Sequence, residues 1–317
     1  MILRSLALTA FLAGQAWAGL MPAPMSDPLA APRTAFEAGR YQEVVDRLTP
    51  EAMQRLGNKD LARAYLLLGR AYERIGRLDL ALGAYQVSTK VFPKDINLLS
   101  ELGLLLHHAG LEEQAQPVFE KVLAIHPNNS QAHLGLAEID AALGLLRDSA
   151  AHYEKALAVL SSQSALWRDY ADVLYRRRSY DAAETAARKA LSLSDDADSL
   201  IELAFIQRGQ SRLADALKTL DGALAKAPAR REVALLRSCW LLEADRFEEA
   251  LPAAQAALAQ DPEEALALWI RARVALRRGK TREAAADLEA AAKQSRRSPF
   301  AAAAARALLR ELRSARP

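Results

Sequence analysis

The chain repeats itself with a period of about 34 residues, and this period constrains its fold more than any other feature of the sequence. A short turn pattern, of which GRLDLAL from Gly76 is typical, recurs along the chain, and its successive occurrences begin 37, 34, 34, 34, 33, 34 and 34 residues apart. Periods of roughly 20–50 residues are typical of arrays in which each unit packs against its neighbours. The sequence therefore predicts a stack of similar units. The pattern begins at Gly39, Gly76, Gly110, Gly144, Arg178, Ser211, Asp245 and Gly279.

Each period contains two amphipathic apolar runs of about 14 residues, separated by a glycine or a polar turn. This pattern predicts two antiparallel helices per unit. Small residues recur inside both runs, which indicates places where two helix backbones approach closely. In the first run they are Gly69, Gly103, Ala137, Ala171, Ala204, Ser238 and Ala272; in the second they are Ala81, Ala115, Ser149, Ala183, Ala216, Ala250 and Ala284.

This pattern resembles the tetratricopeptide repeat family. The unit that starts at Ala62 carries the family's residues at Leu68, Gly69, Tyr72, Gly76, Ala81, Tyr85 and Pro93, and Trp167 stands at the family's tryptophan position. The resemblance implies an all-α, right-handed α-solenoid of tandem antiparallel helix pairs. Seven units, starting at residues 62, 96, 130, 164, 197, 231 and 265, fill residues 62–297, and a degenerate first repeat precedes them at residues 25–58.

The last segment, residues 298–317, is predicted to form a capping helix and a tail. Ser298 is suited to cap a helix, and Pro299 is suited to its first position. An array needs such a cap because its last unit otherwise exposes an apolar face. We expect Phe300, Ala304, Leu308 and Leu312 to cover that face.

The first 18 residues have the features of a secretory signal peptide. Arg4 precedes an apolar run of about 12 residues, and small residues at Ala16 and Ala18 suit cleavage after Ala18. The run is shorter than the roughly 20 residues that span a bilayer, so a retained anchor is the less favoured alternative. Residues 19–32, with four prolines, are predicted to form an extended tether. We therefore expect an exported, soluble periplasmic protein without a membrane span in its mature chain.

Charge and composition exclude several classes of protein. The chain has 42 Lys and Arg against 39 Asp and Glu, and 51% of its residues are hydrophobic. This balance argues against a nucleic-acid partner and against intrinsic disorder. The single cysteine, Cys239, permits no disulfide within the chain and lies in an apolar run, which favours a buried, inert thiol over a reactive one.

The sharpest functional contrast concerns the concave groove that the first helix of each unit lines in the resembled family. At the corresponding positions the early units are mixed and mostly polar, whereas the last three units are apolar with an arginine border. We predict a partner-binding groove there; the alternative is that neighbouring helices, the tether or the cap bury these side chains. The predicted site comprises Arg168 and Tyr175 from the unit at Ser164, then Ile201, Phe205, Arg208, Leu235, Cys239, Leu242, Trp269, Arg273, Leu276 and Arg277.

No catalytic, metal or cofactor motif stands out. The chain lacks a Gly-Lys-Ser/Thr phosphate loop, a His-Glu-x-x-His motif and a nucleophile elbow. Its five histidines, which include the adjacent His107 and His108, lack ligand-like spacing. We therefore predict a non-enzymatic protein without a metal or cofactor.

The combined prediction is an exported scaffold that binds a protein or peptide partner in its groove. Exported proteins that look like this serve in envelope assembly, and pilus or secretion machinery and exopolysaccharide export are the expected settings. Two alternatives stay open. One is a glycan- or peptidoglycan-associated accessory protein that uses the basic C-terminal groove with Tyr175 and Trp269. The other is a structural protein that self-associates through the apolar groove.

Overall fold

The computed structural model describes residues 27–314, and within this range the chain forms helices without a β-strand. The predicted signal peptide and most of the predicted tether lie outside the described residues. The helices are α1 Ala30–Glu37, α2 Tyr41–Arg47, α3 Pro50–Met53, α4 Asn58–Ile75, α5 Leu78–Val91, α6 Ile96–His108, α7 Glu112–Ile125, α8 Ser130–Ala142, α9 Leu146–Leu157, α10 Ser164–Arg176, α11 Tyr180–Leu193, α12 Ala197–Gly209, α13 Leu213–Lys226, α14 Arg231–Glu243, α15 Phe247–Gln260, α16 Ala265–Arg277, α17 Thr281–Lys293 and α18 Pro299–Ser314.

The all-α class and the tandem helix pairs are as the sequence predicts. Six of the seven predicted repeat starts coincide with the first residue of a helix, and the helix of the remaining unit begins earlier, at Asn58. The helix α1 begins at Ala30, so the last residues of the predicted tether are helical. No helix between Asp27 and Ser314 combines the length and the apolar character needed to cross a bilayer.

The described chain divides into two compact units between Ile139 and Asp140. The first unit comprises residues 27–139, and the second comprises residues 140–314. Each is described by its own core and surface.

One turn geometry closes the helix pairs. At the end of α4, Gly76 has φ +83°, and the amide of Arg77 donates to the carbonyl of Tyr72 at 2.9 Å. This is the helix-ending motif in which a left-handed residue satisfies the last carbonyls of the helix. The same pattern recurs where glycine is absent, because Arg178, Ser211 and Asp245 also have positive φ, between 59° and 65°. Glycine is thus favoured at this turn but not required.

The recurring small residues occupy the places where helices approach each other. All seven in the second helices of the units, from Ala81 to Ala284, have no exposed surface. In the first unit, Gly69 and Gly103 lie against the rings of Tyr85 and Phe119, both of which are fully buried. A Cβ atom at Gly103 would lie 2.7 Å from Cε1 of Phe119, so only glycine fits there.

The second unit packs mainly aliphatic and alanine side chains in its interior, and α18 covers its last helix pair. The predicted covering face of α18 is displaced by one residue. Ala301, Ala305 and Leu309 are buried, with Leu308 and Leu312 packed beside them, whereas Phe300 is 84% exposed. The expectation that Phe300 covers the array end is therefore wrong, because the buried stripe of α18 begins one residue later.

Candidate partner groove on the second unit

Four helices of the second unit surround an apolar groove with a volume of about 730 Å³. They are α12, α14 and α16, which are the first helices of three successive repeats, and the capping helix α18. The lining residues are Phe205, Arg208, Glu232, Leu236, Cys239, Trp240, Leu242, Glu243, Leu266, Trp269, Arg273, Phe300, Ala301 and Ala304. We refer to the space between these residues as the apolar groove.

Aromatic rings and arginines are paired along the groove. The rings of Phe205 and Trp240 meet edge to face, with centroids 5.3 Å apart. The guanidinium of Arg208 lies 5.4 Å from the centroid of the Trp240 ring, and that of Arg273 lies 5.3 Å from the Trp269 ring. A guanidinium over an indole face is held by the ring quadrupole. The groove therefore presents positioned cations beside apolar surface.

The two stacked arginines differ in one respect. Arg208 donates to the carboxylate of Glu243, with Nη2 to Oε2 at 2.7 Å, whereas Arg273 has no carboxylate within ion-pair distance in residues 27–314. The Nε1–H of Trp269 is buried and also lacks an acceptor within this range. A buried N–H usually finds an acceptor because leaving it unpaired costs about 1–3 kcal/mol.

The thiol of Cys239 lies half-buried in the groove. Burial raises the pKa of this thiol to about 11, and the nearby Arg208 and Arg273 only partly oppose the effect. Because the thiolate is the nucleophilic form, we expect this cysteine to react more slowly than an exposed thiol at neutral pH. An inert thiol agrees with the interpretation favoured from the sequence.

Six of the twelve predicted site residues line the apolar groove together: Phe205, Arg208, Cys239, Leu242, Trp269 and Arg273. The others lie elsewhere on the same unit. Ile201 and Leu276 are half-buried against the core, Arg277 lies over the Phe247 ring, and Tyr175 contacts Tyr180. Arg168 is half-buried and does not line the groove.

Leu235 is a correction to the predicted set, because it is buried in the core and does not line the groove. On α14 the lining stripe runs through Glu232, Leu236, Cys239 and Glu243, which follow each other at helical spacing. Leu235 precedes this stripe by one residue, a rotation of about 100° on the helix, and therefore faces the interior. Leu242, two turns further along the helix, borders the groove but is likewise only 3% exposed.

Two groups of lining residues were not predicted from the sequence. Those on α14 are Glu232, Leu236, Trp240 and Glu243, of which Leu236 lies one residue from a predicted position. Phe300, Ala301 and Ala304 come from the capping helix, which was expected only to close the array. No periodic signal identifies Phe300, since α18 lies beyond the last repeat. A bulky aromatic at the start of a helix that is otherwise rich in alanine was the only indication.

A buried acid lies beside the groove on α12. One carboxyl oxygen of Glu202 is buried without a hydrogen-bond partner in the described part of the chain. Burial raises the pKa of Glu202 to about 7, and Asp172 adds to the rise while Arg168 opposes it. Partial desolvation also raises the pKa of the neighbouring Asp169, although this residue keeps an exposed surface. These carboxyls make the α10–α12 face sensitive to pH.

Among residues 27–314, no group of three acidic, histidine or cysteine side chains is arranged to hold a metal ion.

The corresponding face of the first unit is polar, and its charged groups have partners. Arg70 forms an ion pair with Glu101, and the hydroxyl of Tyr85 donates to Glu73 at 2.6 Å. His107 lies between two carboxylates, with Nδ1 2.7 Å from Glu112 and Nε2 3.0 Å from Glu138.

Comparisons with known proteins agree with this architecture. A family model described as tetratricopeptide repeat matches residues 33–96, 66–130, 101–165, 134–199 and 240–302. A solved tetratricopeptide repeat protein from Parabacteroides merdae superposes with a TM-score of 0.59 at 14% identity, covering 79% of this chain and 98% of that one. The likeness of this structure shows the fold alone.

Two curated proteins are similar in sequence over part of their length. The BBSome complex member BBS4 of Bos taurus is 24% identical over 198 residues, which are 62% of this chain and 38% of BBS4. The protein O-mannosyl-transferase TMTC1 of Homo sapiens is 25% identical over 146 residues, which are 46% of this chain and 16% of TMTC1. The chain thus spans less than two fifths of either relative.

The family match extends over most of the chain, and its helix pairs, turns and buried small residues recur in register. The chain therefore belongs to the tetratricopeptide repeat family.

Proposed function

We propose that the chain is a non-enzymatic scaffold that binds a protein or peptide partner in the apolar groove. The observation that carries this proposal is an accessible apolar surface of one groove, bordered by Arg273 and by the 84% exposed Phe300. Apolar surface with a charged rim marks interaction sites, and a groove between helices suits a peptide segment. The fold supports the proposal, because repeats of this family serve in general to bind proteins.

The proposed contact residues are those that line the groove, with Phe205, Trp269 and Phe300 as aromatic anchors. Aromatic and arginine side chains contribute most strongly to binding when a partner covers them. Ile201, Leu276 and Arg277 would act by supporting the helices that form the walls. Arg168 and Tyr175 lie on the neighbouring α10 and would contact only a partner that extends beyond the groove.

A scaffold role is favoured over an enzymatic one. The BBS4 relative is a member of a complex, which supports a role in assembly. The TMTC1 relative is a transferase, but the similarity covers 16% of its length. In the groove the thiol of Cys239 has a raised pKa, which disfavours its activation as a nucleophile, and the carboxylate of Glu243 is paired with Arg208.

The proposed setting is the periplasm, in pilus or secretion machinery or in exopolysaccharide export. It rests on the signal-peptide pattern of residues 1–18. Expression with the native N-terminus in a bacterial host, followed by fractionation and N-terminal sequencing, tests it. We expect a periplasmic chain that begins at Gly19; a cytoplasmic chain that begins at Met1 would contradict export.

To test the groove, binding partners are captured from an extract of the source cells. Their binding to the chain is then measured with purified components. Phe205 and Trp269 are half-buried, so glutamate at either position would also disturb packing. Phe300→Asp is cleaner because the ring is exposed. We expect the partner to bind the Phe300→Asp variant at least tenfold more weakly than it binds the wild type. The matched control is Val159→Asp, which places the same charge at a 62% exposed apolar position outside the groove.

Two other outcomes would redirect the proposal. Concentration-dependent sedimentation that disappears in Phe300→Asp would mean that the groove joins copies of this chain. Binding to an acidic glycan that falls steeply with added salt would instead favour the accessory role in contact with Tyr175 and Trp269. Equal partner binding by the wild type and Phe300→Asp would remove the groove from the function.

A further inference from the structure

We infer that the occupant of the apolar groove is an internal segment of a protein partner in which a bulky apolar side chain neighbours an aspartate or glutamate. This inference rests on the proposed function and adds the chemistry of the partner. The apolar side chain would lie among Leu236, Leu266 and Phe300, and the carboxylate would accept hydrogen bonds from Arg273 and Trp269.

The apolar half follows from the lining of the groove. Leu236 and Leu266 are half-buried, Ala301 is buried, and Phe300 is exposed at the start of α18. A side chain inserted between them would cover the Phe300 ring and remove apolar surface on both sides from water. The volume of about 730 Å³ accommodates more than one bulky side chain.

The carboxylate half follows from the contrast between Arg208 and Arg273. Both guanidinium groups are stacked on a tryptophan ring at nearly the same distance, 5.4 Å and 5.3 Å. Arg208 has Glu243 as its carboxylate partner, whereas Arg273 has none within residues 27–314. Stacking restricts the guanidinium while leaving its N–H edge able to donate, so Arg273 is prepared to receive the group that Glu243 supplies to Arg208.

The second donor is the Nε1–H of Trp269, on the ring over which Arg273 lies. This atom is buried without an acceptor in the described chain, so a carboxylate reaches it only when the side chains that cover it move aside on binding. A carboxylate has two oxygens and about four acceptor positions, and can therefore satisfy two donors on neighbouring groups. An amide or hydroxyl oxygen would satisfy the indole but would leave the guanidinium charge without a counterion.

The arrangement of the helices favours a side-chain carboxylate over a chain terminus. Phe205 lies on α12 and Phe300 on α18, and Arg273 lies between them on α16. A segment that contacts both phenylalanines crosses from α12 past α14 and α16 to α18, and therefore passes Arg273 within its length. The carboxylate at Arg273 then belongs to a residue inside the segment.

Charge also fixes where the carboxylate lies. Glu232 lines the groove in the first turn of α14 and has no ion-pair partner in the described range, whereas Glu243 is neutralised by Arg208. A partner carboxylate near Glu232 would meet a like charge. Arg273 is thus the favoured position for an acidic side chain.

The test is a selection of random 12-residue peptides, displayed with flanking protein on both sides, against the chain from Gly19 to Pro317. We expect enriched peptides with Asp or Glu within two positions of Leu, Ile, Phe or Trp. A synthetic peptide from this pool, acetylated and amidated, should lose about tenfold in affinity for Arg273→Gln. The matched control is Arg282→Gln, which removes one exposed arginine of α17 outside the groove and should leave affinity unchanged.

A double-mutant cycle identifies the pair. Replacing the acidic residue of the peptide by its amide should also cost about tenfold, and combining this peptide with Arg273→Gln should cost no more than either change alone. Additive losses, or equal binding by Arg273→Gln, would overturn the inference. Should Arg273→Gln fail to fold, Arg273→Lys keeps the charge and loses the bidentate geometry, and an intermediate affinity is expected.

The outcomes separate this inference from the proposed function. Selected peptides that bind through Phe300 but carry no acidic residue, or that need a free carboxyl terminus, would overturn the inference and leave the scaffold role. Failure to select any peptide that loses affinity for Phe300→Ser would overturn both.

Cys239 supplies an independent measurement of where the peptide binds, because it is the only cysteine of the chain and lies in the groove. A bound peptide should slow its reaction with a thiol reagent at least severalfold, and no protection would place the peptide elsewhere.

Discussion

The two units of this chain differ in where their aromatic side chains lie. In the first unit, the rings of Tyr85 and Phe119 are fully buried and lie against the backbone at Gly69 and Gly103. In the second unit, alanine or serine stands at the corresponding helix positions, and several aromatic rings line the apolar groove. Two rings of the second unit, Tyr153 and Trp240, are buried as well, so the difference lies in the rings that stay accessible in the groove, such as Phe300. The same repeat can therefore use its aromatic residues for stability or for binding.

The charged groups of the first unit show a parallel difference from the donors in the groove, although the buried Ser100 hydroxyl of the first unit also lacks a partner among the described residues. On the first unit, Arg70, Glu73 and His107 have partners within their own unit. In the groove of the second unit, Arg273 has no carboxylate and Trp269 has no acceptor among the described residues. Completed networks stabilise a surface, whereas unsatisfied donors beside apolar surface favour binding.

The largest expected effect breaks the core of the first unit. Gly103→Ala would place a methyl group 2.7 Å from the Phe119 ring, which must shift together with its neighbours. We expect a loss of about 3 kcal/mol in the free energy of unfolding of this unit. Urea unfolding followed by circular dichroism measures it. Tryptophan fluorescence reports on the second unit in the chain from Gly19, because Trp167, Trp240 and Trp269 all lie there.

The control for this substitution is Gly83→Ala in α5. A Cβ atom there meets nothing within 4 Å, so the change should stabilise the helix by about 0.5–1 kcal/mol. Opposite signs for the two substitutions would support the close packing of ring and backbone. Equal effects would contradict it.

An intermediate effect concerns the buried acid of the second unit. Burial raises the pKa of Glu202 to about 7, above its ordinary value of 4.5. Between these values the folded chain holds more protons than the unfolded chain, so the free energy of unfolding falls as pH rises from about 4.5 to about 7 and stays reduced above that. Glu202→Gln removes this cost, and we expect a gain of about 2 kcal/mol at pH 8 that disappears near pH 4.5.

Thermal or urea unfolding at both pH values measures the difference for Glu202→Gln. Glu263→Gln, at an exposed position before α16, is the control and should show no pH-dependent gain. A gain of equal size at pH 8 and pH 4.5 would show that the buried charge is not its cause.

The smallest expected effect concerns the turns. Asp245 has φ 59° without being glycine, whereas Gly76 occupies the equivalent turn of the first unit at φ +83°. Asp245→Gly relieves about 1 kcal/mol of backbone strain in the folded chain, but glycine also increases the conformational entropy of the unfolded chain. We therefore expect the free energy of unfolding to rise by about 0.5 kcal/mol. Gly76→Ala should cost about 1 kcal/mol. Shifts in the unfolding midpoint with the same sign would contradict a shared turn geometry.

Much of the fold could be predicted because the repeat sums many weak signals. A single apolar run is ambiguous, but small residues such as Ala216 and Ala250 recur at the same place in successive units, and all of them are buried. The groove was predictable only in part. Phe205, Cys239 and Trp269 were predicted, whereas Leu235 was assigned to the wrong face because one residue rotates a side chain by about 100° around a helix.

The sequence by itself determined the period, the helix pairs, the turn positions and the small residues between helices, because these depend on local spacing along the chain. The tertiary structure decided which wall completes the groove and which donors stay unpaired. Phe300 lines the groove together with residues 27–95 positions away in sequence, from Arg273 to Phe205, and among residues 27–314 Arg273 lacks the carboxylate that Arg208 has. Such contacts depend on how the helices pack, and no periodic pattern in the chain encodes them.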